Sequence, residues 1–189
     1  MADLGLANGR SYSDDPAVVT AFLQSAAAGY QEKHFPFCLK HFPGIGKGTE
    51  DTHDGDVAVA LSLEELRRED LAPFAALIAD HPATDFAVMV GHVRYSAIEG
   101  VPASLSPAIV TDDLTMGAVA AHYTPEEAAL RAIHAGCDLL LIGHGYEAET
   151  AAYNAILRAV NTGDLPMERI DASVRRILRM KLAHEAAET

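Results

Sequence analysis

The chain reads as an α/β protein built on a parallel sheet. Three observations carry that reading. Residues 36–40, 86–91, 108–111 and 138–142 are short, continuous apolar runs, the pattern of strands covered on both faces. The order is strand, helix, strand, loop, strand, helix, strand, helix, as in βα units. Polar residues recur just past the strand ends, at Lys40-His41, His92, Asp112-Asp113 and His144. In barrels and doubly wound sheets that edge holds the active site.

Residues 16–33 predict a helix. Pro16 suits a first turn after Asp14 and Asp15, and Val18, Val19, Phe22 and Leu23 give a helical stripe. Residues 36–40 (Pro-Phe-Cys-Leu-Lys) are the first strand. Residues 62–80 form the next helix, with Ser62 and Glu65 as a capping box and Leu66, Phe74, Leu77 and Ile78 near one face. Pro73 should kink it or start a second helical piece. Strand 86–91 leads into a loop through Arg94, Glu99, Pro102 and Pro107, and then into the short strand 108–111. Thr124, Pro125 and Glu127 mark a helix start running to about Ala135. Strand 138–142 follows, then helices around 147–161 and 171–183. In the last, Val174, Ile177, Leu178 and Leu182 are expected inside, with Arg175, Arg176, Arg179 and Lys181 outside.

The 189 residues suffice for one domain with a sizeable core. The hydrophobic fraction is 49% and the formal net charge -13, so a nucleic-acid partner is not expected, because phosphate binding needs a basic face. Cys38 and Cys137 lie in apolar, strand-like contexts and read as small core residues, not as a disulfide or metal framework. No window is long and apolar enough to span a membrane. Met1-Ala2-Asp3-Leu4-Gly5 lacks the basic and apolar regions of a signal peptide, so the chain as written is expected in the cytoplasm.

The densest chemistry lies in Lys40-His41-Phe42-Pro43-Gly44-Ile45-Gly46 and Glu50-Asp51-Thr52-His53-Asp54. Titratable groups in such number point to a site. A phosphate loop from Gly44, Gly46 and Gly48 with Lys47 and Thr49 fits neither standard spacing. A metal site from His41, Asp51, His53 and Asp54 has suitable residue types but matches no standard ligand set. Against a plain solvated loop stands Phe42-Pro43-Gly44, an aromatic and a rigid turn that imply fixed packing. The remaining reading is a dyad. Asp51 and His53 are two apart, so on a tight turn the carboxylate can reach one imidazole nitrogen, leaving the other to exchange a proton near neutral pH.

Lys40-His41-Phe42-Pro43-Gly44 followed by Asp51-Thr52-His53 resembles the signature of glycoside hydrolase family 3, in its β-N-acetylhexosaminidase branch. Asn8-Gly9-Arg10-Ser11-Tyr12, Val90-Gly91-His92-Val93, Pro102-Ala103-Ser104-Leu105-Ser106, Val110-Thr111-Asp112-Asp113-Leu114-Thr115-Met116, Ala135-Gly136-Cys137-Asp138 and Arg175-Arg176-Ile177-Leu178 resemble further segments, in family order. Ile45 stands where many relatives have His.

The resemblance implies removal of terminal β-linked N-acetylhexosamine with retention, through a covalent glycosyl-enzyme. It implies Asp112 as nucleophile and His53 as acid/base, held by Asp51. Arg10, Lys40 and His41 would bind the sugar, with no cofactor and no metal. Cell-wall recycling is the family's commonest role. Strand-end geometry alone does not choose between Asp112 and Asp113; family position favours Asp112. Asp113 otherwise reads as a capping or surface carboxylate, His92 as a core or supporting residue, and His144 as a solvated loop histidine.

The implied fold is a single partial catalytic domain over 1–189, a (β/α) barrel of the TIM type reduced to a C-terminal half-barrel of about four strands. A complete barrel takes roughly 250 residues. Strands 86–91 and 108–111 are expected not to join as a normal parallel pair, because Ser106-Pro107 runs almost straight into the second. A homodimer could cover the open half-barrel. Two alternatives to hydrolysis stand beside this expectation. One is a non-catalytic truncated remnant. The other is a phosphorylase using the same residues, since a histidine acid/base does not repel phosphate as a carboxylate would.

Overall fold

In the computed structural model, residues 11–45, 57–95 and 108–185 are described. Arg10, Asp51, His53 and the Pro102–Ser106 motif lie outside them.

Helix α1 (Pro16–Glu32) starts where Asp15 accepts a hydrogen bond from the Ala17 amide. It turns Leu23 and Ala27 inward, whereas Val18 and Phe22 are exposed, Phe22 stacking on Tyr12. Strand β1 (Phe37–Phe42) runs two residues further than the expected 36–40, so His41 and Phe42 belong to the strand itself. After β2 (Val57–Val59) come α2 (Leu63–Arg68), started by the Ser62–Glu65 capping box, and α3 (Leu71–Asp80). The expected single helix is thus two pieces, and Pro73 sits in the first turn of the second, where its missing N–H costs nothing.

Strand β3 (Phe86–Val90) is followed at once by β4 (Val93–Tyr95), placing Arg94 in a strand where a loop was expected. β4 pairs in parallel with β2, far away in sequence, so nothing local announced it. Strand β5 (Ala108–Asp113), a one-turn α4 (Gly117–Ala120), α5 (Pro125–Ala135), β6 (Leu139–Leu141), α6 (Tyr146–Thr162) and α7 (Met167–Glu185) complete the chain.

The main sheet has the order β1-β3-β5-β6 with every pair parallel. The expectation that strands 86–91 and 108–111 could not pair is therefore wrong: Ala87, Val88, Met89 and Val90 face Ala108, Ile109, Val110 and Thr111. The intervening stretch 91–107 exceeds the dozen or so residues a parallel connection needs, and β4 accounts for part of it. Four parallel strands with helices outside them make a partial (β/α) barrel.

The core lies between the sheet and its helices. Leu39, Phe86 and Val88 pack on Ala27 and Leu77, with Phe37, Phe42 and Phe74 at the margin. At the β6 end of the same face, Leu140 joins Ile133, Ala159, Leu165 and Ile170. Cover on both faces was expected, but among the described residues only one face is packed by helices. On the other, Cys38, Lys40 and Leu141 are exposed and Met89, Val110 and Leu139 only half-buried. Cys38 is accordingly not a core residue. Cys137 is, and burial, with the neighbouring Asp138 carboxylate, pushes its thiol up to about 11.

Helix α7 also departs from its expected orientation. Val174, Leu178 and Leu182 are exposed, and Arg176 faces inward. The cause is Asp138, whose side chain is 0% exposed. Its carboxylate accepts from Arg176 Nε (2.9 Å) and Nη2 (2.7 Å), from Ser173 Oγ (2.5 Å) and from the Ile109 amide (3.2 Å). Arg169 adds hydrogen bonds to the carbonyls of Ile133 and Cys137. A buried charge left unpaired would cost more than exposing three aliphatic side chains, so the helix turns its polar residues to the sheet. At its far end His184 places Nδ1 2.9 Å from the His34 carbonyl and Nε2 3.0 Å from that of Thr84.

Candidate active site

The C-terminal ends of the sheet strands bring together Lys40 and His41 of β1, His92 beyond β3, Asp112 and Asp113 of β5, and His144 beyond β6. This is the edge where a parallel α/β sheet exposes backbone and side chains without a covering helix.

The β1 end is held rigidly. Phe42 packs edge-on against Phe74, the ring centroids 5.4 Å apart. The Gly91 amide donates to the Phe42 carbonyl at 3.0 Å, and the Tyr95 hydroxyl donates to the Gly44 carbonyl. Burial, reinforced by the Asp70 charge, raises the Tyr95 phenol well above its ordinary value, so it remains a donor. Gly44 has φ +137°, and a Cβ there would lie 2.7 Å from Asp70 Cβ, so no other residue fits. The packed turn expected from Phe42-Pro43-Gly44 is present up to Ile45.

His41 and Asp112 meet across the β1 and β5 ends. His41 Nε2 is 3.7 Å from Asp112 Oδ2, and the two side chains are only 13% and 17% exposed. The distance is beyond a hydrogen bond but close enough for a charge interaction when the imidazole is protonated. The other Asp112 oxygen, Oδ1, accepts from the Asp113 amide at 2.9 Å. The Lys40 side chain is exposed on the same strand.

Asp113 points elsewhere. Its Oδ1 accepts from the Thr115 amide (2.9 Å), the Thr115 hydroxyl (2.7 Å) and the Gly143 amide (3.0 Å). Burial alone would raise its carboxyl, but these donors outweigh burial and lower it. His144, with 86% of its side chain exposed, places Nδ1 3.4 Å from Asp113 Oδ2. His92 Nε2 lies 3.0 Å from the Asp113 carbonyl; a carbonyl only accepts, so the imidazole donates there. His92 is thus a supporting residue and His144 a solvated one, as their contexts implied.

Thr115 and Gly143 were not singled out from sequence. Asp113-x-Thr115 is the pattern of an Asx turn, in which a side-chain oxygen takes the amide two residues on, and that signal was readable. Gly143 is a tertiary partner, 30 positions away, with no local signal. Arg10, Asp51 and His53 fall outside the described residues. Among those described, no group of three or more His, Cys, Asp or Glu is arranged to hold a metal, and no helix is long and apolar enough to cross a membrane.

The family model described as the glycosyl hydrolase family 3 N terminal domain matches residues 2–180. The beta-hexosaminidase LpqI of Mycobacterium tuberculosis is 35% identical over 91% of this chain and 48% of its own length. A beta-hexosaminidase of Stenotrophomonas maltophilia is 35% identical over 87% of this chain and 54% of its own. Among solved structures, a family 3 beta-N-acetylglucosaminidase from a Paenibacillus strain superposes with a TM-score of 0.85 at 35% identity, covering 93% of this chain and 36% of that one. The chain spans about half the length of the curated relatives it matches.

Proposed function

Since the chain belongs to glycoside hydrolase family 3 through its N-terminal domain, we propose that it carries the chemistry of a retaining β-N-acetylhexosaminidase. The observation that carries this reading is the placement of Asp112: a half-buried carboxylate at the C-terminal end of β5, facing His41. The beta-hexosaminidase names of the relatives point to the same substrate class.

In this reading Asp112 attacks the anomeric carbon and forms a glycosyl ester as the glycosidic C–O bond breaks. His53, oriented by Asp51, gives its proton to the departing oxygen. It then takes a proton from water, which opens the ester and regenerates Asp112. Arg10, Lys40 and His41 bind the sugar.

The test is turnover of an aryl β-N-acetylglucosaminide. The parent chain should release the aryl alcohol, Asp112→Ala should abolish release, and His53→Ala should slow it and alter its pH profile. Wild-type rates in either variant would overturn the assignment. Added phosphate should leave the rate unchanged; acceleration with formation of a sugar phosphate would assign phosphorolysis. A folded parent chain with no turnover would assign the non-catalytic reading.

A further inference from the structure

We propose that Asp113 is the positioning residue of the site, and that it works through one neutral-compatible acceptor oxygen and not through its charge. The inference rests on the assignment of Asp112 as nucleophile and adds to it.

The geometry is that of a clasp around the Asp112–Asp113 peptide. The Asp113 amide donates to Asp112 Oδ1, which fixes the orientation of that carboxylate and leaves Oδ2 toward His41. That amide can hold its direction only if the peptide and the residue after it are fixed. On the far side, the Asp113 carbonyl takes His92 Nε2 at 3.0 Å and the Met116 amide at 3.1 Å. The Asp113 side chain ties the same residue to the β6–α6 connection through the Gly143 amide and to its own turn through Thr115. The β3–β4 junction, the β6–α6 connection and the turn after β5 therefore converge on residue 113.

All three side-chain donors reach a single oxygen, Oδ1. Oδ2 faces only the exposed His144, at 3.4 Å. An asparagine keeps Oδ1 and puts its NH2 where Oδ2 stood, opposite an imidazole nitrogen able to accept. Gly143 is part of the device: a Cβ there would lie 2.4 Å from Asp113 Oδ2, so only glycine admits the carboxylate this close.

The two adjacent aspartates should thus respond oppositely to the same change. Asp112→Asn removes the nucleophile and should abolish turnover. Asp113→Asn should stay within about threefold of the parent kcat, because neutral hydrogen bonds replace charge-assisted ones of roughly twice the strength. Asp113→Ala should lower kcat about a hundredfold with KM nearly unchanged, the signature of a misplaced reacting group and not of lost binding. Gly143→Ala should follow Asp113→Ala. Azide should restore rate to Asp112→Ala and not to Asp113→Ala.

A second readout needs no turnover. The NMR titration of the His41 imidazole, which faces Asp112, should match the parent in Asp113→Asn and be displaced in Asp113→Ala. Parent-like kcat and His41 titration in Asp113→Ala would overturn the proposal, as would equal loss in the Asn and Ala variants. Parent-like rates in Asp112→Asn would instead sink the nucleophile assignment, and azide rescue at 113 would exchange the two roles.

Discussion

Asp138 and Asp112 sit at opposite ends of neighbouring strands in one sheet. At the N-terminal end of β6, Asp138 is fully buried, and both oxygens are saturated by a guanidinium fork, a hydroxyl and an amide. At the C-terminal end of β5, the Asp112 side chain is only 17% exposed, yet one oxygen faces an imidazole 3.7 Å away. The first carboxylate is a fastener, and its lone pairs are fully engaged. The second leaves one oxygen toward the imidazole, as the proposed nucleophile role needs. Both are secluded from water, and the number and geometry of the donors separates them further.

The same substitution at the two positions should therefore give opposite results, and this is the largest expected contrast. Asp112→Asn should lower kcat by about ten-thousandfold, as losses of covalent or base residues do, while the melting temperature stays near that of the parent. Asp138→Asn should leave kcat per folded molecule alone and reduce stability by about 3 kcal/mol, because it strands Arg176 and Arg169 beside a neutral group. Thermal melts and initial rates on both variants check the contrast, and a shared loss of either property would break it.

Acid should act on the lower end. Burial pushes the Asp138 carboxyl up, but the Arg176, Ser173 and Ile109 hydrogen bonds outweigh it and hold it below its ordinary value. A carboxyl lowered in the folded state stabilises fully above the ordinary carboxylate range, about pH 4, and loses that contribution as pH falls through the folded value. Melting temperature should drop more steeply below pH 4 in the parent than in Asp138→Asn. Equal slopes would show that other carboxylates dominate. The smallest effect should come from a feature on neither edge: Thr124→Ala, which removes the capping box of α5, should cost about 1 kcal/mol without changing kcat.

The contrast between the edges was only half legible in the sequence. The four strands of the main sheet, the caps of α2 and α5 and the polar strand ends follow from local patterns, because apolar runs and capping boxes act over a few residues. The role of Asp138 did not, because its partners lie 31 to 38 positions away on a helix whose apolar stripe pointed to a different inward face. The Val174, Leu178 and Leu182 periodicity was real, but a buried carboxylate outranked it. Pairing of β2 with β4 and the junction of β3 with β5 were missed for the same reason: register between distant segments has no local cue. At the candidate site, Lys40, His41 and Asp112 lie at the strand ends expected from the sequence, whereas the different hydrogen-bond surroundings of Asp112 and Asp113 rest partly on Gly143, which had no local cue.

Helix α7 has a consequence for how the chain reaches its native state. Its 19 residues extend about 28 Å. One end is pinned beneath β6 by Asp138, and the other beneath β1 and β3 by His184, whose contact with the His34 carbonyl spans 150 positions of sequence. It ties the start of β6 to the segments that lead into β1 and β3, and it follows all four strands in sequence. Closing so long a loop is among the slower steps in folding, and until it closes the strands lack their common anchor. A nascent chain would carry an unbraced sheet until α7 had followed the strands out of the ribosome, so Arg169 and Arg176 govern when the earlier strands become fixed.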